Sequence, residues 1–130
     1  MMLGGMQYKS EAVTKLLVRN RTRESIVADD AEIANTSAAR RKGLLGRSAF
    51  YGRQGLWIVP CGAIHTFFMS FTIDVLYLDR KKRVKKVVTG LSPWRLSGCL
   101  IAHSVLELPA GAISRSGTQR GDQLDFQFNS

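Results

Sequence analysis

"IDVLYLDRKKRVKKVVTGL", Ile73 to Leu91, is the stretch on which the fold turns. Apart from Asp74, the run from Ile73 to Leu78 is apolar on both alternating faces, which suits a central strand covered on both sides. Arg80 to Lys82 make a charged turn, and Arg83 to Leu91 returns as the hairpin partner. The doubled Lys85-Lys86 breaks the alternation and predicts a bulge there.

Outward from that hairpin the signals stay short and strand-like. Lys15 to Asn20, "KLLVRN", and Glu24 to Ala34, "ESIVADDAEIA", read as two strands joined by a polar turn. Thr36 or Ser37 can cap a short helix over "SAARRKGLLGR", with Ala38, Leu44 and Leu45 inward and Gly46 ending it at positive φ. Gly43 inside that helix costs about 1 kcal/mol against alanine, so the helix needs tertiary support. "GLWIVP", Gly55 to Pro60, is a strand closed by proline, and "SVLEL", Ser104 to Leu108, is another. Pro109 is expected to open a helix over "AGAISRS", with Gly117 as its stop. In "DQLDFQFN" Leu124, Phe126 and Phe128 alternate with polar residues, the clearest period of two in the chain. About six or seven short strands with two short helices predict a mainly β fold, a β-sandwich or a partly open β-barrel. Residues 1–14 are expected to be a loose segment and 15–130 a single domain.

Composition bounds the function. The 130 residues are enough for one core without covalent staples. With 45% apolar and 22% charged residues, the chain reads as globular rather than disordered. No apolar run approaches the ~20 residues that cross a bilayer. The first ten residues lack the charged start and long apolar core of a signal peptide, so a cytoplasmic location is expected. Two cysteines, Cys61 and Cys99, fit reduced thiols better than a disulfide framework.

The 19 Lys and Arg against 10 Asp and Glu give a formal charge of +9, which permits nucleic acid, anionic membrane or acidic protein as partner. The cations gather at Arg19 to Arg23, Arg40 to Arg47, and Arg80 to Lys86. The last run is densest and reads as a solvated hairpin tip. Nucleic-acid contact through it would call for interleaved aromatics, and none occurs from Arg80 to Gly90.

"RRKGLLGR" at Arg40 to Arg47, "GLWIVP", "IHTFFMSFTIDVLYLD" at Ile64 to Asp79, "LSPWR" at Leu91 to Arg95, "VLELPAGAISRSG" at Val105 to Gly117 and "GDQL" at Gly121 to Leu124 follow one another in a specific order. Together they resemble the domain of unknown function 192 family, small β-rich prokaryotic domains, over nearly the whole chain. The resemblance implies a compact β-rich fold and no particular activity.

The candidate site centres on Ile64 to Asp79. Asp74 opens a strand that is otherwise apolar, so its carboxylate must be paired or hydrogen-bonded. It reads either as a brace for the "HTFFMSFT" turn, accepting backbone N–H groups or an arginine such as Arg40 or Arg47, or as a general base or ligand contact. His65 lies past a proline-closed strand and can move a proton near neutrality. With Asp74 it would make a small hydrolase or isomerase; without it, His65 only bonds loop backbone. Phe67, Phe68, Met69 and Phe71 read as the aromatic end of the barrel, or as an open mouth that Trp94 and Arg95 help to close. The ligand-binding candidates are thus Arg40, His65, Thr66, Phe68, Met69, Asp74, Trp94 and Arg95. Their occupant would be an unidentified small ligand or protein segment, and no cofactor is expected. Cys61 with His65 and Cys99 with His103 share a Cys-x3-His spacing, a Cys2His2 set that suits tetrahedral zinc. The tighter Cys-x2–4-Cys and His-x3–5-His groupings of structural zinc are missing, so buried free thiols are the expectation.

Overall fold

The computed structural model describes residues 15–128. The expected loose segment, 1–14, lies outside them. The described elements are β1 (Lys15–Asn20), β2 (Ser25–Ala34), α1 (Ser37–Lys42), β3 (Gln54–Ile58), β4 (Ala63–His65), β5 (Ile73–Leu78), β6 (Val84–Leu91), β7 (Leu96–Gly98), β8 (Ser104–Pro109), α2 (Ala112–Ser116) and β9 (Leu124–Phe128). Seven strands form one sheet in the order β6-β5-β8-β3-β2-β1-β9, while β4 and β7 make a separate two-stranded ribbon. Among the described strands only the β2–β3 pair is parallel.

The sheet curls until its edges meet at one end. Arg83 bridges Gln123, Val84 N–H donates to the Asp122 carbonyl at 2.9 Å, and Leu124 N–H donates to the Lys82 carbonyl at 3.0 Å. The result is a half-barrel, mainly β as the sequence implies.

Every residue of β5 is buried, with β6 on one side and β8 on the other. Tyr77 faces Lys86 and Leu78 faces Val84, so Lys85 is the extra residue of the expected bulge. Because alternate side chains point to opposite faces, a central strand of this kind feeds two cores. Leu76, Leu78, Leu106 and Leu108 pack with Leu16 and Val18 on one face, against Ala112 and Ile113 of α2. Val75, Tyr77 and Val105 pack on the other with Leu56 and Ile58, under Leu44, Phe50, Ile64 and Met69. The second cover comes from the β2–β3 connection and the β4 region. It positions the site.

Two helix boundaries differ from the sequence expectation. α1 stops at Gly43 (φ +49), whose N–H donates to the Ala39 carbonyl at 3.0 Å, rather than at Gly46. Leu44 is therefore buried by the irregular chain after the helix, and Ala38 is exposed. Pro109 ends β8 opposite Ile73 and opens no helix. α2 starts only after Gly111 (φ +97), and Gly117 (φ +70) stops it as expected. β4 and β7, of three residues each, are too short to show a period.

Candidate functional site

The site is built upward from Glu107. The register of β8 sets Glu107 between Leu56 of β3 and Val75 of β5, on the same face as Val105. The residue is 4% exposed, and its Oε1 has no hydrogen-bond partner. A buried carboxylate left this way strongly favours its neutral form. Burial pushes the carboxyl from 4.5 up to about 7, and the Arg47 guanidinium only partly opposes the rise. Arg47 is committed elsewhere, to Glu32 at 3.0 Å and over the Phe50 ring at 5.9 Å.

Above Glu107 a cavity of about 390 Å³ separates the second face from its cover. Glu107 and Ile58 of the sheet line it, together with Leu44 and Leu45 from the β2–β3 connection and Cys61, Ile64, His65 and Met69 from the β4 region. Arg40, Arg41 and Lys42 of α1 stand at its solvent side, the latter two exposed. Arg40 donates to the Asn35 carbonyl at 3.4 Å, and no acid among the described residues pairs with Arg41 or Lys42. The Cys61 thiol donates to the Ala63 carbonyl at 3.1 Å. Burial pushes it up, with Glu107 adding to the rise, so it stays a neutral thiol rather than a nucleophilic thiolate. Tyr77 lies close enough to feel both Cys61 and Glu107. Its phenol is raised by burial in spite of its 2.7 Å bond to Ser97 Oγ.

Of the ligand-binding candidates from the sequence, Arg40, His65 and Met69 line this cavity, and so does Cys61 of the Cys-x3-His pair. His65 is exposed at the end of β4, its Nδ1 accepting from Phe67 N–H at 3.2 Å and its ring stacked on Phe67 at 4.9 Å. Thr66, Phe68, Asp74, Trp94 and Arg95 lie outside it. Thr66, fully buried, staples two loops: its hydroxyl donates to the Ser92 carbonyl at 2.6 Å and accepts from Arg95 N–H at 2.9 Å. Its carbonyl accepts from Trp94 N–H at 2.9 Å and from Met69 N–H at 3.2 Å. This staple presents Phe68 (φ +67) and Trp94 (φ +64) edge to face at 4.7 Å on the surface.

Asp74 is taken up by backbone. Its Oδ1 accepts from Gly90 N–H at 2.9 Å, and its Oδ2 from Gly111 at 3.1 Å and Ile113 at 3.0 Å. These bonds fix β6 and the first turn of α2 to β5, so neither Arg40 nor Arg47 serves as its partner. No hydrogen bond or shared partner joins Asp74 to His65 among the described residues.

Cys61, His65, Cys99 and His103 do not form a metal set. Among the described residues no three His, Cys, Asp or Glu side chains could hold an ion together. The two segments meet through backbone instead: Cys61 N–H donates to the His103 carbonyl and Cys99 N–H to the Gly62 carbonyl, both at 2.9 Å. Both thiols are free and half-buried.

In the basic hairpin Arg80, Lys81 and Arg83 are exposed, as in a solvated tip, while several of its cations also make internal contacts. Lys82 lies over the Trp57 ring at 5.3 Å, Lys86 donates to the Gly98 carbonyl at 2.7 Å, and Arg83 donates to the Gly121 carbonyl at 2.9 Å. Lys85 pairs with Asp79 at 3.6 Å.

Sequence reasoning missed Glu107. A signal was there: an acid inside the apolar "SVLEL" carries the same implication as Asp74 in "IDVLYL".

A family model described as "Uncharacterized ACR", the domain of unknown function 192, matches residues 18–126. A UPF0127 protein of Pyrococcus abyssi is 34% identical over 101 residues, covering 73% of this chain and 84% of its own. A protein of unknown function from Novosphingobium aromaticivorans has a crystal structure that superposes with a TM-score of 0.72 at 20% identity, covering 85% of this chain and 82% of its own. Another crystal structure, described as a "putative transcription regulator" from Sinorhizobium meliloti, gives 0.76 at 19% identity, covering 88% and 94%. At those identities the two structures speak for the fold alone.

Proposed function

The chain belongs to the domain of unknown function 192 family, and from that premise we propose that it is a non-catalytic binding domain whose cavity over Glu107 takes a small ligand. One observation carries the reading: a buried carboxyl with an unpartnered oxygen lines an open, otherwise largely apolar cavity. Buried polar groups in folded proteins are nearly always satisfied, and pockets with a few convergent polar groups among apolar walls are the usual form of small-molecule sites. The catalytic alternative has less support. His65 and Asp74 are bound to different backbone groups, and the Cys61 thiol is held neutral. Nucleic-acid contact has less support: Lys82, Lys85 and Lys86 close internal contacts, which leaves Arg80, Lys81 and Arg83 as the exposed cations of the hairpin. No described helix is long and apolar enough to cross a membrane, and two free thiols fit a reducing compartment such as the cytoplasm.

The test is a set of ¹⁵N-labelled spectra recorded against a panel of small polar metabolites. Saturable shifts at Gly43, Leu44, Ile64 and Glu107, with every compound recovered unchanged, are the expected result. A panel that shifts only resonances remote from the cavity, or is chemically converted, refutes the reading.

A further inference from the structure

Resting on that reading of the cavity, we propose that its ligand is a small zwitterion with an apolar side chain, a free amino acid in chemical class. The ligand ammonium lies against Glu107, and its carboxylate among Arg40, Arg41 and Lys42. The charges of the cavity are segregated. The one acid of the lining, Glu107, is buried, whereas of the three cations of α1 Arg41 and Lys42 are exposed and, among the described residues, without an acidic partner. A ligand carrying only an anion could bond Glu107 only in its protonated form, and would lie beside an acid that ionises near neutrality. One carrying only a cation must pass three like charges and leave them unmatched. A neutral hydrogen-bonding molecule would use neither charge to advantage, since charge-assisted bonds are roughly twice as strong as neutral ones.

The rest of the lining is largely apolar, with Leu44 and Leu45 from the β2–β3 connection and Ile64 and Met69 from the β4 region. A branched or thioether side chain would fill that space. At about 390 Å³ the cavity is near the lower end of the ~300–1,000 Å³ range of small-molecule pockets, so the ligand must be small.

Binding an ammonium requires the ionised form of Glu107. Below neutrality the free protein holds this carboxyl protonated, so the ligand displaces one proton to the solvent as the pair forms. Besides Arg40, Arg41 and Lys42, the groups around Glu107 are the Arg47 guanidinium, the Cys61 thiol, the Tyr77 phenol, and His65 of the same cavity lining.

The test is calorimetric titration of the full chain with L-leucine and L-methionine, with isopentylamine and 4-methylpentanoate as the two half-ligands of leucine. Both amino acids are expected to bind, and each half-ligand to bind roughly ten- to a hundredfold more weakly, as loss of a charge-assisted bond predicts. Glu107→Gln should weaken leucine and isopentylamine by a similar factor while sparing 4-methylpentanoate. The paired substitution Arg41→Ala with Lys42→Ala should do the reverse. Leucine affinity should rise between about pH 5.5 and 7.5 in the parent protein, with proton release, and stay level in Glu107→Gln. Isopentylamine binding as tightly as leucine overturns the proposal, as does unchanged leucine binding by Glu107→Gln. If neither amino acid binds while other panel compounds shift the cavity resonances, the ligand class fails and the binding function stands. If nothing shifts them, both fail.

Discussion

Replacing Glu107 with glutamine removes a charge that the fold penalises and keeps the shape of the side chain. The carboxyl moves from 4.5 up to about 7 on folding, because it is taken from water into an apolar layer between Leu56 and Val75. For a raised carboxyl the sign is fixed. Its contribution to stability is fully present below the unfolded value and is lost as pH rises through the folded one. The gap of about 2.5 pH units, at 1.36 kcal/mol each, corresponds to about 3 kcal/mol of destabilisation of the parent protein above neutrality. No discount for solvent screening applies to a residue that is 4% exposed. Glu107→Gln should therefore be more stable than the parent by about 3 kcal/mol at pH 8, and equal within about 1 kcal/mol at pH 4, where both side chains are neutral. In a melt at pH 8 this is on the order of 10 °C. Urea unfolding of both proteins at pH 4, 6 and 8 measures the difference, and other titrating groups cancel in the comparison. A variant no more stable than the parent at pH 8, or a difference that does not change with pH, would refute the reasoning.

Three further outcomes follow from single contacts. Asp74→Asn turns one of two accepting oxygens into a donor facing N–H groups, and should cost about 3–5 kcal/mol in urea unfolding. A loss under 1 kcal/mol would show that the brace at the start of β5 is dispensable. Asp122 accepts from Asn20 Nδ2, Arg23 Nε and Gln119 N–H. Burial alone would raise its carboxyl, but these bonds and the Arg23 charge hold it below the ordinary value. Its stabilisation is present above the unfolded pKa and lost as pH falls through the lowered folded one. Asp122→Asn should therefore be about 2–3 kcal/mol less stable at pH 7 and lose that deficit as the pH falls into the acid range, read by circular dichroism during acid titration. Gly55→Ala places a methyl 3.3 Å from the Cβ atoms of both Ala28 and Ala31, in the parallel β2–β3 pair. Overpacking there should cost about 1–3 kcal/mol in thermal unfolding, and an unchanged midpoint would show that the β2 backbone yields.

What the sequence by itself determined is local and periodic. The apolar run of β5, the alternation of β9, the bulge at Lys85 and the stop at Gly117 are each written in a few neighbouring residues. Mainly β architecture follows from them, because a strand's period of two and a glycine's tolerance of positive φ need no distant partner. Asp74 was legible as a group needing partners, but its donors come from Gly90, Gly111 and Ile113, sixteen to thirty-nine residues on. α1 ended early because burial of Leu44 against the second face competed with helix continuation through Gly43. Glu107 shows the limit most clearly. Its position in "SVLEL" marks an acid that needs accommodating, but not what covers it. It becomes a buried part of the cavity lining only because Leu44, Ile64 and Met69, from separate stretches of chain, cover that face of β8. Which face of a strand is covered, and by what, is a property of the whole chain. The tertiary structure alone decided it, and with it the place of the cavity.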